Sequence, residues 1–501
     1  MRDETGPTAV RALSVRVRRA RRVRGRKLGA LSVGPTSASD PLIVSAHGLL
    51  DELLPWLQDE CTRADDKPFR SSHPFGRWTR DEAVGSGDHR MYTFVAESMS
   101  AEQVCVERIL GELWQAGDSR LLDVHQAMEQ DAVLGPRLDH AVVSAGAGGG
   151  TWQALQLVRQ LFVAGITQTG GFDLDQAGRD ALVEGWVARL RQRSELITVL
   201  VVLSEFDAEA LPIQLEGNLV LDELTDEEIG VALTLGGSSS LWPGSTFVGR
   251  TMGMRTSYES ELFVDAVPPE DQDRDVAARE AAFEEAMLLL LALRLFKASP
   301  VGQRGSFTYG GANATSVSGS LNTRLWPPSQ PYFLTAGETV EFSSFWKLVR
   351  SVHGKRVIAP ALRRFGYAAD RSRPDDEIVD LLIAAESLFL TDTGRERDRG
   401  EMRFRLSIRV SSLLGSTPEE RMRLAAFMRK AYDVRSTIVH GGDIRVGDIP
   451  TLADESPTVE SFADELEEIL RRSLKVAISR VASGEGFPPN WDELLFRATA
   501  S

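Results

Sequence analysis

The chain has 501 residues and a formal net charge of −15, and 42% of its residues are hydrophobic. A chain of this length exceeds what one hydrophobic core usually supports, so we expect several domains. No run of about 18 apolar residues occurs, which excludes a membrane-spanning helix. The two cysteines, Cys61 and Cys105, have no metal-ligand spacing. We therefore expect free thiols in a reducing cytoplasm, and neither a metal nor a cofactor.

The charge is unevenly distributed along the chain. Residues 1–30 contain ten Lys/Arg and two Asp/Glu, which gives a net charge of +8. Residues 345–445 contain twenty Lys/Arg and fourteen Asp/Glu, a net charge of +6, so the remainder carries −29. A basic region beside an acidic body is compatible with a site for a polyanion. Charge alone favours the simpler interpretation, in which Arg-rich helices have solvated faces.

The N-terminal regions are predicted from composition and local patterns. Residues 1–40 are predicted to be a disordered basic arm, and no apolar segment follows the basic residues as a secretory signal requires. Residues 41–150 are predicted to be mixed and mostly helical, with a capping box formed by Ser100 and Gln103. The glycine-rich run at 141–150 is predicted to be a flexible linker, and a phosphate-binding loop is the alternative interpretation.

Residues 151–335 are predicted to form an α/β middle domain, with a possible sensor or regulatory role. The β-branched run at 196–203 predicts a buried strand, and residues 281–296 predict a buried helix. The Gly/Ser/Thr/Asn-rich residues 302–320 predict strands with tight turns or a mobile loop. Three prolines within residues 326–331 end this domain, because proline cannot continue a helix or a central strand.

The C-terminal third is predicted to be all helical. Residues 336–485 contain apolar residues at i, i+3 and i+4, which is typical of amphipathic helices that pack as a bundle. Residues 486–501 are predicted to be a tail. The predicted fold is therefore multidomain, with α/β N-terminal and middle regions followed by an all-α bundle. The predicted helices span residues 340–352, 357–369, 375–391, 401–414, 418–439 and 459–481.

The helix that begins at Pro418 contains the best candidate for a functional site. Thr417 is its predicted N-cap, and Glu420 completes a capping box. At about 100° per residue, Arg435 falls on the apolar stripe between Ala431 and Ile438. A guanidinium in an apolar seam is costly unless an anion meets it, so this position marks Arg435 as a candidate functional residue.

His440 lies at the end of the same helix, because two glycines follow it and stop the helix. Positions five residues apart differ by about 140° in azimuth on an ideal helix. The side chains of Arg435 and His440 are therefore predicted to meet only if the last turn unwinds, which Gly441 and Gly442 permit.

Three segments of the C-terminal third resemble the Apea-like HEPN domain family. Tyr-Asp-Val-Arg-Ser-Thr-Ile-Val-His-Gly at 432–441 is similar to the family's signature of Arg, four residues and His. Residues 380–389, which include Glu386, resemble the upstream helix with its acidic residue. Residues 403–410, which include Arg409, resemble the helix between them. The resemblance implies that residues 336–485 form a HEPN helical bundle.

The resemblance also implies a function, namely metal-independent RNA cleavage at a site shared by two copies of the chain. His440 would act as general acid or base on the ribose 2′-hydroxyl, and Arg435 would stabilise the pentacoordinate phosphate. Glu386 would position Arg435. The further supporting residues are Asp433, Ser436 and Arg409. The expected partners are RNA as substrate, a second copy of the chain, and an unknown activating ligand, without a membrane.

Other interpretations remain open at this stage. Arg435 and Glu386 could form a structural pair that joins two helices, with His440 as a cap favoured by the helix dipole. The bundle would then be an inactive dimerisation or binding module in a sensor or scaffold protein. A nucleotide-transfer enzyme is a third possibility. If the chain is a ribonuclease, we expect a toxin or antiviral defence protein that its N-terminal region regulates in cis.

Overall fold

The computed structural model describes residues 40–64, 66, 69–70, 76–81, 90–96, 98–144, 148–169, 171–235, 245–248, 250–298, 300–310, 318–321, 332–391, 399–442, 444, 447, 449–452 and 457–496. The predicted basic arm, apart from Asp40, lies outside the described residues, and so do the prolines of residues 326–331. Within these described ranges, no helix is both long enough and apolar enough to cross a membrane.

The described residues form helices and several sheets, which confirms the mixed helix-and-sheet class. The helices are α1 (Pro41–Arg63), α2 (Ala101–Ala116), α3 (Ser119–Gln130), α4 (Ala154–Thr169), α5 (Gln176–Leu190), α6 (Asp226–Leu235), α7 (Pro269–Phe296), α8 (Ala336–Val352), α9 (Ala359–Ala368), α10 (Pro374–Phe389), α11 (Arg399–Leu414), α12 (Pro418–Val439), α13 (Val459–Ser483) and α14 (Trp491–Phe496). The strands are β1 (Phe69–Arg70), β2 (Gly76–Asp81), β3 (Arg90–Ala96), β4 (Ser98–Met99), β5 (Ala141–Ser144), β6 (Gly148–Thr151), β7 (Ser194–Ser204), β8 (Phe206–Ala208), β9 (Ile213–Leu215), β10 (Leu219–Glu223), β11 (Ser245–Val248), β12 (Met252–Glu261), β13 (Phe263–Val264), β14 (Gly302–Gly310), β15 (Ser318–Leu321) and β16 (Tyr332–Leu334).

The first five helices share one apolar core. Each contributes fully or nearly fully buried side chains, such as Leu50 of α1, Leu110 of α2, Val124 of α3, Leu161 of α4 and Val187 of α5. The core therefore crosses position 150, where the sequence suggested a division of the chain. The domain boundary at position 150 stays a prediction.

The capping box predicted for α2 is confirmed. The Ser100 hydroxyl accepts a hydrogen bond from the Gln103 backbone N–H at 3.2 Å, and the Gln103 side-chain oxygen accepts one from the Ser100 N–H at 2.9 Å. Two of the N–H groups that a helix start leaves without a partner are satisfied in this way. The helix ends at Gly117, whose φ of 74° places it in the left-handed region that glycine tolerates.

The glycine-rich segment predicted to be a linker is instead a strand pair, so that prediction is wrong. Strands β5 and β6 pair antiparallel, with Ala141 opposite Thr151 and Val142 opposite Gly150. Val142 is fully buried, and this burial anchors the pair to the helical core. The glycines at 148–150 lie within strand β6 and not in a loop that opens a helix, which also argues against the dinucleotide-type phosphate loop. Residues 145–147 lie outside the described residues.

The strand predicted at 196–203 is confirmed as β7, near the middle of a six-stranded sheet with the order β15-β14-β7-β12-β10-β9. Its pairing with β12 and with β14 is antiparallel. Its two faces enter different cores. Val199 and Val201 lie on the side of α7, whereas Leu200 and Val202 lie on the side of α6. Because both faces are covered, the strand is a continuous apolar run in an antiparallel sheet.

Helix α7 is longer than predicted, and its second half is buried on nearly all sides. Leu289, Leu290 and Leu293 are at most 1% exposed. Arg294, which interrupts the apolar run, is also buried. Its guanidinium donates to the Val301 carbonyl at 3.0 Å, to the Gly366 carbonyl at 3.4 Å and to the Asp370 carboxylate at 2.7 Å. These acceptors offset the cost of burying the charge.

Six C-terminal helices appear where the sequence predicts them, and α12 has the predicted bounds. Helix α10 contacts α9, α11, α12 and α13. Its Asp380 is 3% exposed. The carboxylate of Asp380 accepts from Arg364 at 2.8 Å and from Arg371 at 2.7 Å. The two ion pairs fasten α9 and the loop after it to α10.

The predicted tail also contains ordered structure. Helix α14 lies in this segment, and Phe487 and Trp491 are each 7% exposed. The Trp491 ring lies 5.9 Å from the ring of Phe389 on α10, between ring centroids. Burial of two aromatic side chains contributes a few kcal/mol, roughly 1.5–3 for each. Residues 487–496 therefore pack against the C-terminal helices, and the division of the chain at position 486 stays a prediction.

One apolar core crosses position 335, where the sequence separates the middle region from the C-terminal helices. Phe342, Trp346 and Val349 of α8 belong to the same buried cluster as Leu289 and Leu293 of α7. The Trp346 indole N–H donates to the Glu216 carbonyl at 3.1 Å, just before β10. The C-terminal helices thus rest on the sheet region through α7, and the domain division at 335 stays a prediction.

We predict that Trp346→Ala lowers the free energy of unfolding by about 3–5 kcal/mol, because it leaves a cavity where α7 meets α8. Val340→Ala is the matched control, since Val340 lies on the same helix and is 70% exposed. The control should change stability by less than about 0.5 kcal/mol. Denaturant unfolding followed by circular dichroism measures both. Equal effects of the two substitutions would contradict a shared core at this position.

Candidate functional site

Helix α12 positions the candidate site, and its first turn is capped as predicted. The Thr417 hydroxyl accepts from the Glu420 backbone N–H at 3.2 Å, and the Glu420 carboxylate accepts from the Thr417 N–H at 3.4 Å. Pro418 occupies the first helical position, where its missing N–H costs nothing. Beyond this turn, Leu424, Phe427 and other apolar residues bury one face of the helix. That packing fixes the direction of its last turns.

The last turn of α12 does not unwind, contrary to what a direct approach of Arg435 and His440 would need. The His440 N–H donates to the Ser436 carbonyl at 3.2 Å, which is an α-helical bond. Gly441 then adopts φ of 71°, and the N–H groups of Gly441 and Gly442 donate to the Ile438 and Thr437 carbonyls, each at 2.9 Å. This Schellman arrangement satisfies the final carbonyls. The double glycine ends the helix without loosening it.

The structure brings Arg435 and Glu386 together across the interface of α12 and α10. Arg435 Nη1 lies 3.3 Å from Glu386 Oε1, and the two side chains are 24% and 25% exposed. The pair is therefore neither fully buried nor fully solvated. A carboxylate at this distance restricts the guanidinium to one side of the seam. Both predicted roles of Glu386, which are positioning Arg435 and joining two helices, require this contact.

Two further features surround the Arg435 guanidinium. Its Cζ atom lies 5.9 Å from the ring centroid of Tyr432, which is 8% exposed. Its Nε is buried and finds no hydrogen-bond acceptor in the part of the chain that the structure describes. A buried donor without an acceptor costs roughly 1–3 kcal/mol. The sequence prediction gave Tyr432 no role, although its spacing three residues before Arg435 puts both on one helix face.

Among the described contacts, none joins the side chain of Asp433 or Ser436 to Arg435. The Asp433 carboxylate accepts from Arg403 Nη2 of α11 at 2.5 Å. Arg403 also donates to the Arg429 carbonyl at 3.3 Å, so it ties the start of α11 to α12. Ser436 contributes its backbone carbonyl to His440. The sequence did not single out Arg403, because nothing local indicates which distant carboxylate it meets.

Arg409 contacts the C-terminal end of α10. Its Nη1 donates to the Phe389 carbonyl at 2.5 Å, one turn beyond Glu386, and its Cζ lies 5.1 Å from the ring centroid of Trp491. Arginine is well suited to both contacts, because its planar group can donate and stack together. The observed contacts of Arg409 therefore hold α10, α11 and α14 together.

His440 is the exposed C-cap of α12. No hydrogen bond or ion pair joins its ring to Arg435 within the described ranges. An exposed imidazole at a helix end is accessible to a substrate from solvent. The described residues also contain no group of three or more His, Cys, Asp or Glu side chains that could hold a metal ion.

Comparisons of the chain with protein-family models, with curated proteins and with solved structures find no match. The resemblance to Apea-like HEPN domains therefore rests on the residues of α10, α11 and α12 themselves.

We predict that a double-mutant cycle with Glu386→Gln and Arg435→Gln gives a coupling energy of about 1 kcal/mol. The pair is only a quarter exposed, so its attraction is less screened than that of a surface pair. Denaturant unfolding of the wild type, both single variants and the double variant measures it.

The matched control cycle uses Arg373 and Asp375. Their side chains lie 2.8 Å apart but are 70% and 37% exposed. This surface pair should give a coupling energy below about 0.5 kcal/mol. If both cycles give the same value, Glu386 does not hold Arg435 in solution.

Proposed function

We propose that the chain is a metal-independent endoribonuclease of the HEPN type, with Arg435 and His440 as its catalytic residues. The observation that supports this most is the state of the Arg435 guanidinium. The ion pair with Glu386 engages Nη1, while the side chain stays 24% exposed, so part of the guanidinium is open to a ligand from solvent. Guanidinium donors in this state match the oxygens of a phosphodiester.

The chemistry follows from the two residue types. His440 removes the proton of a ribose 2′-hydroxyl, and the 2′-oxygen attacks the adjacent phosphorus. The bond between phosphorus and the 5′-oxygen breaks, and a protonated imidazole returns a proton to that oxygen. The products are a 2′,3′-cyclic phosphate and a 5′-hydroxyl. Arg435 stabilises the additional negative charge of the pentacoordinate phosphate, and Glu386 holds Arg435 in place.

A second copy of the chain completes this proposed site. Because α12 stays helical up to His440, the side chains of Arg435 and His440 leave the helix about 140° apart. His440 of one copy would then face Arg435 of the other across an RNA strand. A two-fold arrangement also provides two imidazoles, one to accept and one to donate a proton.

Exposed apolar side chains support an interface at this end of the helix pair. Phe404 of α11 is 56% exposed, and Val439 of α12 is 57% exposed. The contacts of Arg403 with Asp433 and with the Arg429 carbonyl hold the first turns of α11 beside the later turns of α12. Large apolar side chains exposed near one site are typical of a protein-protein contact.

We propose that the N-terminal region inhibits this activity. An uncontrolled ribonuclease would harm the cytoplasm in which it folds, so a toxin or antiviral role requires inhibition in cis. The strongly acidic remainder of the chain repels RNA at long range, and an activating ligand would relieve this restraint. Growth of cells that express the full chain, compared with His440→Ala, measures its toxicity.

The ion pair itself favours one alternative. Because Glu386 already neutralises Arg435, the pair could serve only to join α10 and α12. The C-terminal helices would then be an inactive dimerisation or binding module in a sensor or scaffold protein. Dimerisation without RNA cleavage would support this alternative.

We predict that the purified full chain, although its N-terminal region restrains it, keeps a basal rate of RNA cleavage in the presence of EDTA and leaves 2′,3′-cyclic phosphate ends. His440→Ala and Arg435→Ala should each lower the cleavage rate by at least about 100-fold, as expected for loss of a proton-transfer or charge-stabilising group. Gel analysis of a defined RNA and mass spectrometry of its ends measure rate and product.

The chain offers matched controls for both substitutions. His353 is the exposed C-cap of α8 and precedes a glycine, as His440 does in α12. Arg423 is an exposed arginine on α12 itself. His353→Ala and Arg423→Ala should keep the wild-type rate. Cleavage that survives His440→Ala, or that EDTA abolishes, would rule out the proposed mechanism.

We also predict that light scattering of the full chain gives about twice its mass of 55.0 kDa. Phe404→Glu should produce monomers, because it places a charge in the proposed interface. Val340→Glu, at a 70% exposed position of α8, should leave the dimer intact. A wild-type monomer throughout the micromolar range would contradict the composite site.

A further inference from the structure

A cleft of about 830 Å³ opens where α7 of the middle region meets α8 and α9 of the C-terminal helices. Small-molecule sites usually occupy roughly 300–1,000 Å³ and often lie between packed units of a fold. The cleft lies apart from the candidate ribonuclease site, whose residues do not line it. Its size and position therefore suit a small-molecule ligand that is separate from the RNA substrate.

The floor of the cleft is apolar. Met287, Leu288 and Leu291 line it from α7, and Leu362 lines it from α9. Leu288 and Leu291 are only partly buried, so their side chains are available to a ligand. Gly366 of α9 leaves room beside them, since a Cβ atom at this position would lie 3.6 Å from Leu291 Cδ1. The floor therefore suits an apolar body rather than a chain of hydrogen-bonding groups.

Most charges around the cleft neutralise one another. Arg350 forms ion pairs with Glu285 at 2.7 Å and with Glu216 at 3.1 Å. Arg294 forms one with Asp370 at 2.7 Å. Side chains held in such pairs are poor first contacts for a ligand, because binding would have to replace an existing partner.

Two cations of the cleft are left over. Lys347 of α8 and Arg363 of α9 are exposed, and neither contacts a carboxylate within 4 Å in the part of the chain described. Among the exposed acidic residues that line the cleft, Glu284 of α7 also has no ion-pair partner in the described residues. The four acidic and four basic side chains of the lining balance as a whole. The positive charge that a ligand can meet is therefore local to Lys347 and Arg363, on two different walls of the cleft.

We propose that this cleft binds an amphipathic organic anion, which is a carboxylate, sulfonate or phosphate monoester attached to an apolar body. The apolar body lies on Leu288 and Leu291, and the anionic group contacts Lys347 and Arg363. The proposal goes beyond the ribonuclease activity, because the site exists whether or not the chain cleaves RNA. A ligand here bridges α7 and the C-terminal helices, so it stabilises their packing.

Two dyes with the same type of apolar body test the charge requirement. Anilinonaphthalene sulfonate carries a sulfonate, whereas N-phenyl-naphthylamine has no charge. Fluorescence titration of the full chain should show one saturable site for the anionic dye. Lys347→Ala/Arg363→Ala should weaken its binding at least about tenfold, through loss of two charge-assisted contacts. The neutral dye should bind with the same affinity to the wild type and to this variant.

Two further variants locate the site. Lys355→Ala/Arg356→Ala removes the same charge from exposed positions between α8 and α9 that do not line the cleft. It should leave the affinity for the anionic dye within about twofold. Gly366→Leu places a side chain over the floor and should weaken both dyes. Because Lys347 and Arg363 are exposed and without an ion-pair partner in the described residues, their variant should keep the wild-type melting temperature.

Three results would overturn the proposal. The first is the absence of a saturable site for the anionic dye. The second is an equal loss of affinity in the cleft variant and in the surface-charge control, which would indicate attraction by net charge alone. The third is unchanged binding of both dyes by Gly366→Leu, which would place the dyes elsewhere on the molecule.

Discussion

The packing of helix α7 is the constraint on which the rest of the structure depends. The second half of α7 is apolar on nearly all sides, so most of it must be covered, because each exposed leucine would forgo roughly 1.5–3 kcal/mol. The sheet covers one side of α7 through β7 and β12, and α8 and α13 cover another. This requirement joins the middle region to the C-terminal helices.

Charged side chains complete this junction instead of disrupting it. Arg294 is 5% exposed on α7, and Arg471 is 2% exposed on α13. Arg471 Nε donates to the carbonyl of Arg294 at 2.9 Å, and its guanidinium forms ion pairs with Glu467 and Glu468. Hydrogen-bonded guanidinium groups of this kind are directional, so they fix the register of α13 on α7 more strictly than leucines alone.

Local patterns were sufficient to predict much of the fold. The bounds of α12, its capping box and its glycine stop depend on neighbours within a few residues, and these features agree with the structure. Long-range features were not predictable in the same way. The antiparallel partners of β7 and the ion pair of Arg403 with Asp433 join residues that are far apart in sequence.

In the candidate site, too, some features were predictable from the sequence and others were not. The apolar position of Arg435 predicts only that an anion meets it, and the family resemblance is what pointed to Glu386 as that partner. The unwinding that would bring Arg435 to His440 did not occur, because a Schellman ending satisfies the last carbonyls without it. The glycine-rich run at 141–150 was misjudged, because burial of Val142 outweighs the weak strand propensity of glycine.

The two ion pairs of Asp380 couple the positions of α9 and α10. Arg364 of α9 and Arg371 of the loop after it both bind this buried carboxylate, so we expect α9 and α10 to move together. Helix α9 lines the cleft beside α7, and α10 carries Glu386 against Arg435. If α9 tilts, these contacts carry α10 with it, so we expect an occupant of the cleft to change the distance between Glu386 and Arg435.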